Sequence, residues 1–95
     1  MTGVRLDPPL PHDLAMAVAR AGVDATADRR AVEDALRGAI ADRRGYVDWS
    51  CDEVGWVVYL LAPERHEFRG ATRQEALAWC LVRLMAEELG GGTPA

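Results

Sequence analysis

The chain has 95 residues, a formal net charge of −4 at pH 7, an apolar fraction of 49% and a charged fraction of 27%. These values are typical of one globular domain with a modest core, and they exclude extended intrinsic disorder. The negative balance disfavours wrapping of a nucleic-acid backbone, which needs clustered positive charge, and no apolar run is long enough to span a membrane.

The N-terminal segment, residues 1–11, contains three prolines and is expected to be extended, because proline is excluded from the interior of helices. It lacks the apolar segment of a signal peptide, which favours a cytoplasmic location. The sequence LAMAVARAG then predicts a short helix, with Asp13 as its N-cap and Gly22 at its end. The alanines of this helix would allow close approach to a neighbour.

A second helix is predicted from about Ala27 to about Arg43, and Gly45 is expected to end it. The two helices could also form a helix-turn-helix, but that alignment places Asp28 at a buried position and is not favoured. The apolar residues of the second helix recur at helical spacing on one face: Val32, Ala35, Leu36, Ala39 and Ile40.

The period then changes to the alternation of β-strands, in the segments YVDWSC (46–51), VGWVVYLL (54–61) and HEFR (66–69). Cys51 is expected on the core face of the first strand, beside Val47 and Trp49. A turn centred on Asp52 and Glu53 would pair Trp49 with Trp56, Val47 with Val58, and Tyr46 with Tyr59. A bulge at Gly55 would shift this register by one residue.

The last element begins with the capping box TRQE, in which Thr72 is the N-cap and Glu75 follows three residues later. It opens the helix RQEALAWCLVRLMAEEL, which Gly90 ends, and residues 91–95 are expected to form a flexible tail. The apolar arc is wide, which predicts either a central helix with partners on two sides or an interface. Its members are Leu77, Ala78, Cys80, Leu81, Val82, Leu84, Met85 and Leu89, with Trp79 at the border.

These elements predict an α+β fold in a single domain of residues 12–90. It has two N-terminal helices, a two- to three-stranded antiparallel meander, and a long C-terminal helix packed on the sheet.

Two cysteines and two histidines, Cys51, Cys80, His12 and His66, are the candidates for metal ligation or nucleophilic catalysis. Their spacing matches no zinc motif. A nucleophilic Cys51 with His66 as base would need a lowered thiol pKa, whereas the two acidic residues that follow it disfavour the thiolate. The sequence therefore predicts no catalytic residue, no metal site and no cofactor, and both cysteines are expected to be buried free thiols.

Five arginines could form an anion-binding patch: Arg43, Arg44, Arg65, Arg69 and Arg73. Such a patch would suit an accessory nucleic-acid-binding protein. Alternatively, the first two only complement the dipole at a helix C-terminus, while Glu64 and Glu67 dilute the other three. Nucleic acid is thus an alternative partner that the sequence does not favour.

Exposed apolar and acidic positions predict contact with another protein. The candidates lie at the hairpin tip, on one face of the sheet and on the border of the last helix: Asp52, Glu53, Tyr46, Tyr59, Trp79 and Val82. Tyr46, Val57, Tyr59 and Leu61 share one face of the sheet, which is either covered by the N-terminal helices or exposed. Open sheet edges are commonly paired with a second copy, so a homodimer is also expected.

The segments WVVYLL and FRGATRQEALAWCL resemble small phage-type ABA-sandwich domains, which have a helix–strand–strand–helix layout. The G-x-T-x-x-E-A passage, with Gly70, Thr72, Glu75 and Ala76, is also similar to that of HicB-type antitoxins. The first resemblance implies no known chemistry. The second implies toxin neutralisation, although the sequence shows no recognisable DNA-binding segment.

All eleven basic residues are Arg, which is typical of a high-GC bacterial or phage genome. We therefore expect a small acidic, non-catalytic protein-interaction module from a phage or mobile element, which binds and inhibits or adapts a larger partner. The alternative is an accessory nucleic-acid-binding or antitoxin-like protein that uses the arginine patch.

Overall fold

The computed structural model describes residues 10–62 and 65–88 of the chain. The order of elements is α1 (His12–Ala19), α2 (Arg29–Asp42), β1 (Tyr46–Cys51), β2 (Trp56–Ala62), β3 (His66–Gly70) and α3 (Arg73–Ala86). The predicted α+β order of two helices, an antiparallel meander and a C-terminal helix is confirmed, with three strands. Most of the predicted N-terminal lead and the whole of the predicted tail lie outside the described residues. None of the described helices has the length and apolarity needed to cross a lipid bilayer.

The two N-terminal helices begin differently from each other. The N-cap of α1 is Pro11 and not Asp13 as predicted, because the helix starts two residues earlier and places Asp13 in its first turn. The cap of α2 is Asp28, whose side chain accepts a hydrogen bond of 2.9 Å from the backbone N–H of Ala31. Asp28 is therefore exposed at a helix terminus, unlike the buried position that a helix-turn-helix alignment assigns to it.

A Schellman motif ends α2. The backbone N–H of Arg44 donates to the carbonyl of Ala41, and that of Gly45 to the carbonyl of Ile40, each at 2.9 Å. The left-handed position of this motif is occupied by Arg44, with φ of 62°, and not by the glycine. Gly45 is needed for space, because a Cβ atom there would lie 2.7 Å from Ile40 Cγ2 and 2.9 Å from Leu84 Cδ1.

The sheet has the order β1-β2-β3, with both neighbouring pairs antiparallel. The predicted register is wrong by two residues, because the hairpin loop has four residues, from Asp52 to Gly55. From Val47 onward, the shift of two leaves the side chains on their predicted faces. Tyr46 is the exception, because it pairs with Ala62 and lies toward α2, whereas the prediction placed it on the face of Tyr59. An irregularity occurs between Tyr46 and Val47, and not at Gly55. The observed partners across β1 and β2 are Cys51 with Trp56, Trp49 with Val58, and Val47 with Leu60.

The described helices pack on one side of the sheet, and α3 is the central element, since it contacts α1, α2, β2 and β3. This confirms the interpretation of its wide apolar arc as that of a central helix. Five predicted members of this arc are buried: Leu77, Ala78, Cys80, Leu81 and Leu84. The opposite face of the sheet carries Val57, Tyr59 and Leu61, none of which belongs to the core cluster. This face is partly covered, since Val57 is buried, Tyr59 is half-buried and Leu61 is exposed.

Candidate functional site

A groove runs between α1 and the C-terminal half of α3. Its lining consists of Asp13, Met16, Ala17, Arg20, Val82, Met85 and Ala86. The groove exists because α1 turns Leu14 and Val18 into the core, which leaves the positions at 13, 16, 17 and 20 on an adjoining face. Small residues of α1 such as Ala15 pack against the core and allow the helix to approach α3 closely.

The floor of the groove is apolar and unusually exposed. The Met16 side chain is 62% exposed, and Val82 and Met85 are half-buried. Trp79 is 45% exposed and precedes Val82 by one helical turn on the same face of α3. Single exposed apolar residues are ordinary, whereas large side chains on two neighbouring helices mark an interaction surface.

Residues of opposite charge lie at the two ends of the α1 face that lines the groove. Asp13 and Arg20 are exposed seven residues apart, and neither forms a salt bridge or side-chain hydrogen bond with any described residue. These two groups are therefore available to a partner that enters the groove.

Of the six predicted partner-binding residues, Val82 lines the groove, and Trp79 is exposed one helical turn before it on α3. The α1 contribution, with Met16 and Ala17, was not predicted. In the sequence, the only sign of this contribution from α1 was a methionine on one side of an alanine-rich helix. That side of α1 forms a wall of the groove only because α1 packs beside α3.

The predicted acidic tip of the hairpin is only partly free. Asp52 Oδ1 accepts hydrogen bonds from the backbone N–H groups of Val54 at 2.9 Å and Gly55 at 3.0 Å, and Oδ2 pairs with Arg69 Nη1 at 3.2 Å. These backbone donors, with a smaller contribution from Arg69, hold the pKa of Asp52 below its usual value. Asp52 therefore stabilises the turn, while Glu53 remains exposed beside it.

Tyr46 and Tyr59, the other two predicted partner-binding residues, lie away from the groove. Tyr46 is 66% exposed at the start of the edge strand β1, where it lines an open cleft between β1 and α2. Tyr59 is half-buried on the outer face of β2, between Asp48 and Glu67 on the neighbouring strands. The six predicted positions thus belong to several surfaces and not to one site.

The prediction that Cys51 is buried is wrong. Cys51 is exposed because it ends β1 at the hairpin tip, whereas Cys80 in α3 is completely buried. Burial raises the pKa of the Cys80 thiol to about 12. Both are free thiols, and their different surroundings show that they do not meet.

The candidate cysteine–histidine pair is not assembled. Cys51 lies at the end of the sheet where β2 begins, whereas His66 is opposite Leu60 near the other end. Four residues of antiparallel strand separate these levels by about 14 Å. Within residues 10–62 and 65–88, no three His, Cys, Asp or Glu side chains are grouped as metal ligands.

The two tryptophans of the hairpin, Trp49 and Trp56, face the start of α3 as predicted, although they are not directly opposite each other. The guanidinium carbon of Arg73 lies 5.4 Å from the ring centre of Trp49 and 5.1 Å from that of Trp56. Arg37 approaches the Trp49 ring at 4.8 Å. These distances are typical of cation–π contacts, which here join α2, through Arg37, and α3, through Arg73, to the sheet.

A nearly buried carboxylate holds the same cluster together. Glu33 is 8% exposed, and its Oε1 accepts from Arg73 Nε at 2.9 Å and from Gln74 Nε2 at 3.2 Å. Its Oε2 lies 3.8 Å from Arg37 Nη1. Glu33 therefore connects α2 to α3, and its carboxylate is the anion that Arg37 and Arg73 already hold.

The five arginines predicted as a patch do not lie on one surface. Arg43 pairs with Glu88 at 3.0 Å beyond the end of α3, whereas Arg73 is in the first turn of that helix, about 21 Å away along its axis. Arg69 pairs with Asp52 at the hairpin tip, and Arg44 and Arg65 are exposed elsewhere. Three of the five guanidinium groups therefore have carboxylate partners within the chain.

Comparison with known protein families, curated proteins and solved structures found no match to this chain. The phage-type and HicB-type resemblances accordingly stay predictions.

Proposed function

We propose that this protein is a non-catalytic protein-interaction module and that the groove between α1 and α3 is its docking surface. The observation that carries this proposal is the exposed apolar floor, with Met16 on one helix and Val82 on the other, bounded by opposite charges that have no partner among the described residues. A module of this kind would bind and block or adapt its partner, as expected for a small phage or mobile-element protein.

The geometry of the groove supports a helical or short-segment ligand. Two helices side by side form a channel whose apolar side chains can receive anchor residues from a third helix. Asp13 and Arg20 at its ends would fix the direction of such a ligand, because reversing it would set like charges against each other.

The distribution of reactive groups supports a binding function over catalysis. The exposed thiol of Cys51 and the imidazole of His66 lie at different ends of the sheet. The other thiol, Cys80, is completely buried in the core. None of these groups lines the groove.

Photo-crosslinking from inside the groove tests the proposal. A photoreactive amino acid replaces Met16, and in a control variant it replaces Glu67, which is exposed on the opposite side of the sheet. In cells of the source organism we expect a protein adduct, with a second copy or with another protein, from position 16 and not from position 67. Absence of an adduct at 16, or equal adducts at both positions, would contradict the proposal.

A further inference from the structure

The face that α1 presents in the groove is complementary to itself. It carries, in order, Asp13, Met16, Ala17 and Arg20. These positions are symmetric about the midpoint between 16 and 17. If two such helices lie antiparallel about a two-fold axis at that midpoint, position 13 meets position 20 and position 16 meets position 17 in both directions. Each acidic end then faces a basic end.

We propose that a second copy of this chain occupies the groove, so that two α1 helices pack antiparallel in a symmetric dimer. The proposal rests on the proposed function, since it names the partner that the same groove binds. In this arrangement Asp13 pairs with Arg20 of the partner subunit, and Arg20 pairs with Asp13 of the partner subunit. The dimer is formed by helices and not by the sheet edges.

The spacing of the charges fits helix geometry. Seven residues at 1.5 Å per residue separate positions 13 and 20 by about 10.5 Å, which is close to two turns. Both side chains therefore lie on the same face of α1 and bracket the apolar pair between them. In an antiparallel partner the same separation recurs in the opposite sense, so both ion pairs can form together.

The apolar contacts also favour this partner. At the axis the large Met16 side chain meets the small Ala17 of the partner subunit, which lets the helices approach to an ordinary interaxial distance of about 8–10 Å. Val82 and Met85 of α3 flank the pair on each side, and Trp79 continues the surface by one turn. The contact would remove from water the most exposed large apolar side chains of α1 and α3, which are Met16 and Trp79.

The macrodipole of α1 also favours the antiparallel dimer. Asp13 lies in the first turn of α1 and Arg20 is its C-cap residue, so each charge is already favoured at its own helix end. In the antiparallel dimer, each charged side chain also lies beside the helix end and the side chain of opposite charge in the partner subunit. Because α1 has only eight residues, the interface is at the small end of stable protein contacts. We expect a dissociation constant of about 1–100 µM.

Analytical ultracentrifugation of charge-reversal variants tests the dimer. The wild-type chain should dimerise over the expected concentration range. In Asp13→Arg two arginines meet at each end, and in Arg20→Asp two aspartates do, so each variant should associate about 10- to 100-fold more weakly. Asp34→Arg reverses an exposed charge on α2 outside the groove and should dimerise as the wild type does.

Mixing the two charge-reversal variants gives the decisive measurement. An equimolar mixture should form a 1:1 heterodimer, because the arginine introduced at position 13 of one chain then meets the aspartate introduced at position 20 of the other. This recovery also shows that each variant is folded. A wild-type chain that stays monomeric to millimolar concentration, an Asp13→Arg variant that dimerises as tightly as the wild type, or a mixture that does not associate would overturn the dimer.

The two proposals fail in different ways. A monomeric wild-type chain whose position 16 crosslinks to a different protein would overturn the dimer and leave the docking groove standing. A monomeric chain with no adduct at position 16 would overturn both proposals.

Discussion

At the residue scale, the strained position in the described backbone is Arg44. Its φ of 62° places a long side chain in the left-handed region, where a Cβ atom contacts the backbone and glycine is favoured. The residue is exposed at the end of α2, so its side chain is not needed in the core. The chain keeps its helix termination through the two backbone hydrogen bonds of the Schellman motif.

Arg44→Gly should therefore stabilise the protein. Removal of the left-handed penalty is expected to raise the free energy of unfolding by about 1 kcal/mol, which raises the melting temperature by about 4–8 °C in a domain of this size. Arg44→Ala is the matched control, because it also removes the arginine but keeps a Cβ atom. Thermal unfolding by circular dichroism would contradict the explanation if both variants gained the same stability.

Local hydrogen bonding at helix starts was predictable from the sequence in one case and not in another. Thr72 accepts from the backbone N–H of Glu75 at 3.1 Å, as its capping box predicts. The Glu75 carboxylate accepts a hydrogen bond from the backbone N–H of Ala71 at 3.3 Å. A standard capping box would have it accept from the N–H of Thr72. Asp13 resembles a cap in sequence, but Pro11 precedes it and already supplies a suitable φ of −58°.

At the element scale, Glu33 connects α2 to the first turn of α3. Glu33→Ala would remove the carboxylate that accepts from Arg73 and Gln74, and we expect a loss of about 1.5–3 kcal/mol in the free energy of unfolding. Asp34→Ala changes the neighbouring exposed carboxylate and should cost less than about 0.5 kcal/mol.

A double-mutant cycle in urea measures the contact itself. If the ion pair of 2.9 Å couples the helices, Glu33→Ala and Arg73→Ala should lose less together than the sum of their separate losses. Additive losses would show that the two residues stabilise their helices independently.

The error in strand register also arises at this scale. Alternation specified which side chains face α3, and that part of the prediction was correct. The pairing depends on loop length, and Asp52 lengthens the loop to four residues by accepting from the N–H groups of Val54 and Gly55. A two-residue shift leaves the hydrophobic pattern unchanged, so the pattern could not distinguish the registers.

At the scale of the whole molecule, the wide apolar arc of α3 predicted either a central helix or an interface, because a surface helix needs a narrower stripe. The packing of α3 against α1, α2, β2 and β3 shows that it is central. The groove was not predictable in the same way. It needs Met16 and Val82, which are 66 residues apart in the chain, to be brought together by the packing of α1 on α3. The exposed position of Cys51 also depends on the loop, since the residue ends β1 at the hairpin tip.

The response of the whole molecule to acid follows from the carboxylates that the fold holds ionised. Backbone N–H groups lower the pKa of Asp52 from 3.8, and hydrogen bonds from Thr26 lower that of Asp24. A carboxylate whose pKa is lower in the folded state contributes stability above its unfolded pKa and loses it as the pH falls through its folded pKa. The protein should therefore become less stable as the pH falls below about 4.

Asp52→Asn isolates one part of this response. It keeps a side-chain oxygen for the turn but cannot ionise, so it should be less stable than the wild type near neutral pH. The difference should shrink in acid, as the pH falls through the folded pKa of Asp52 and the carboxylate is protonated. Asp34→Asn, whose side chain makes no hydrogen bond or ion pair with the described residues, controls for the loss of one charge. Urea midpoints that differ equally at neutral and acidic pH would show that the carboxylate stabilises the turn through its shape and not its charge.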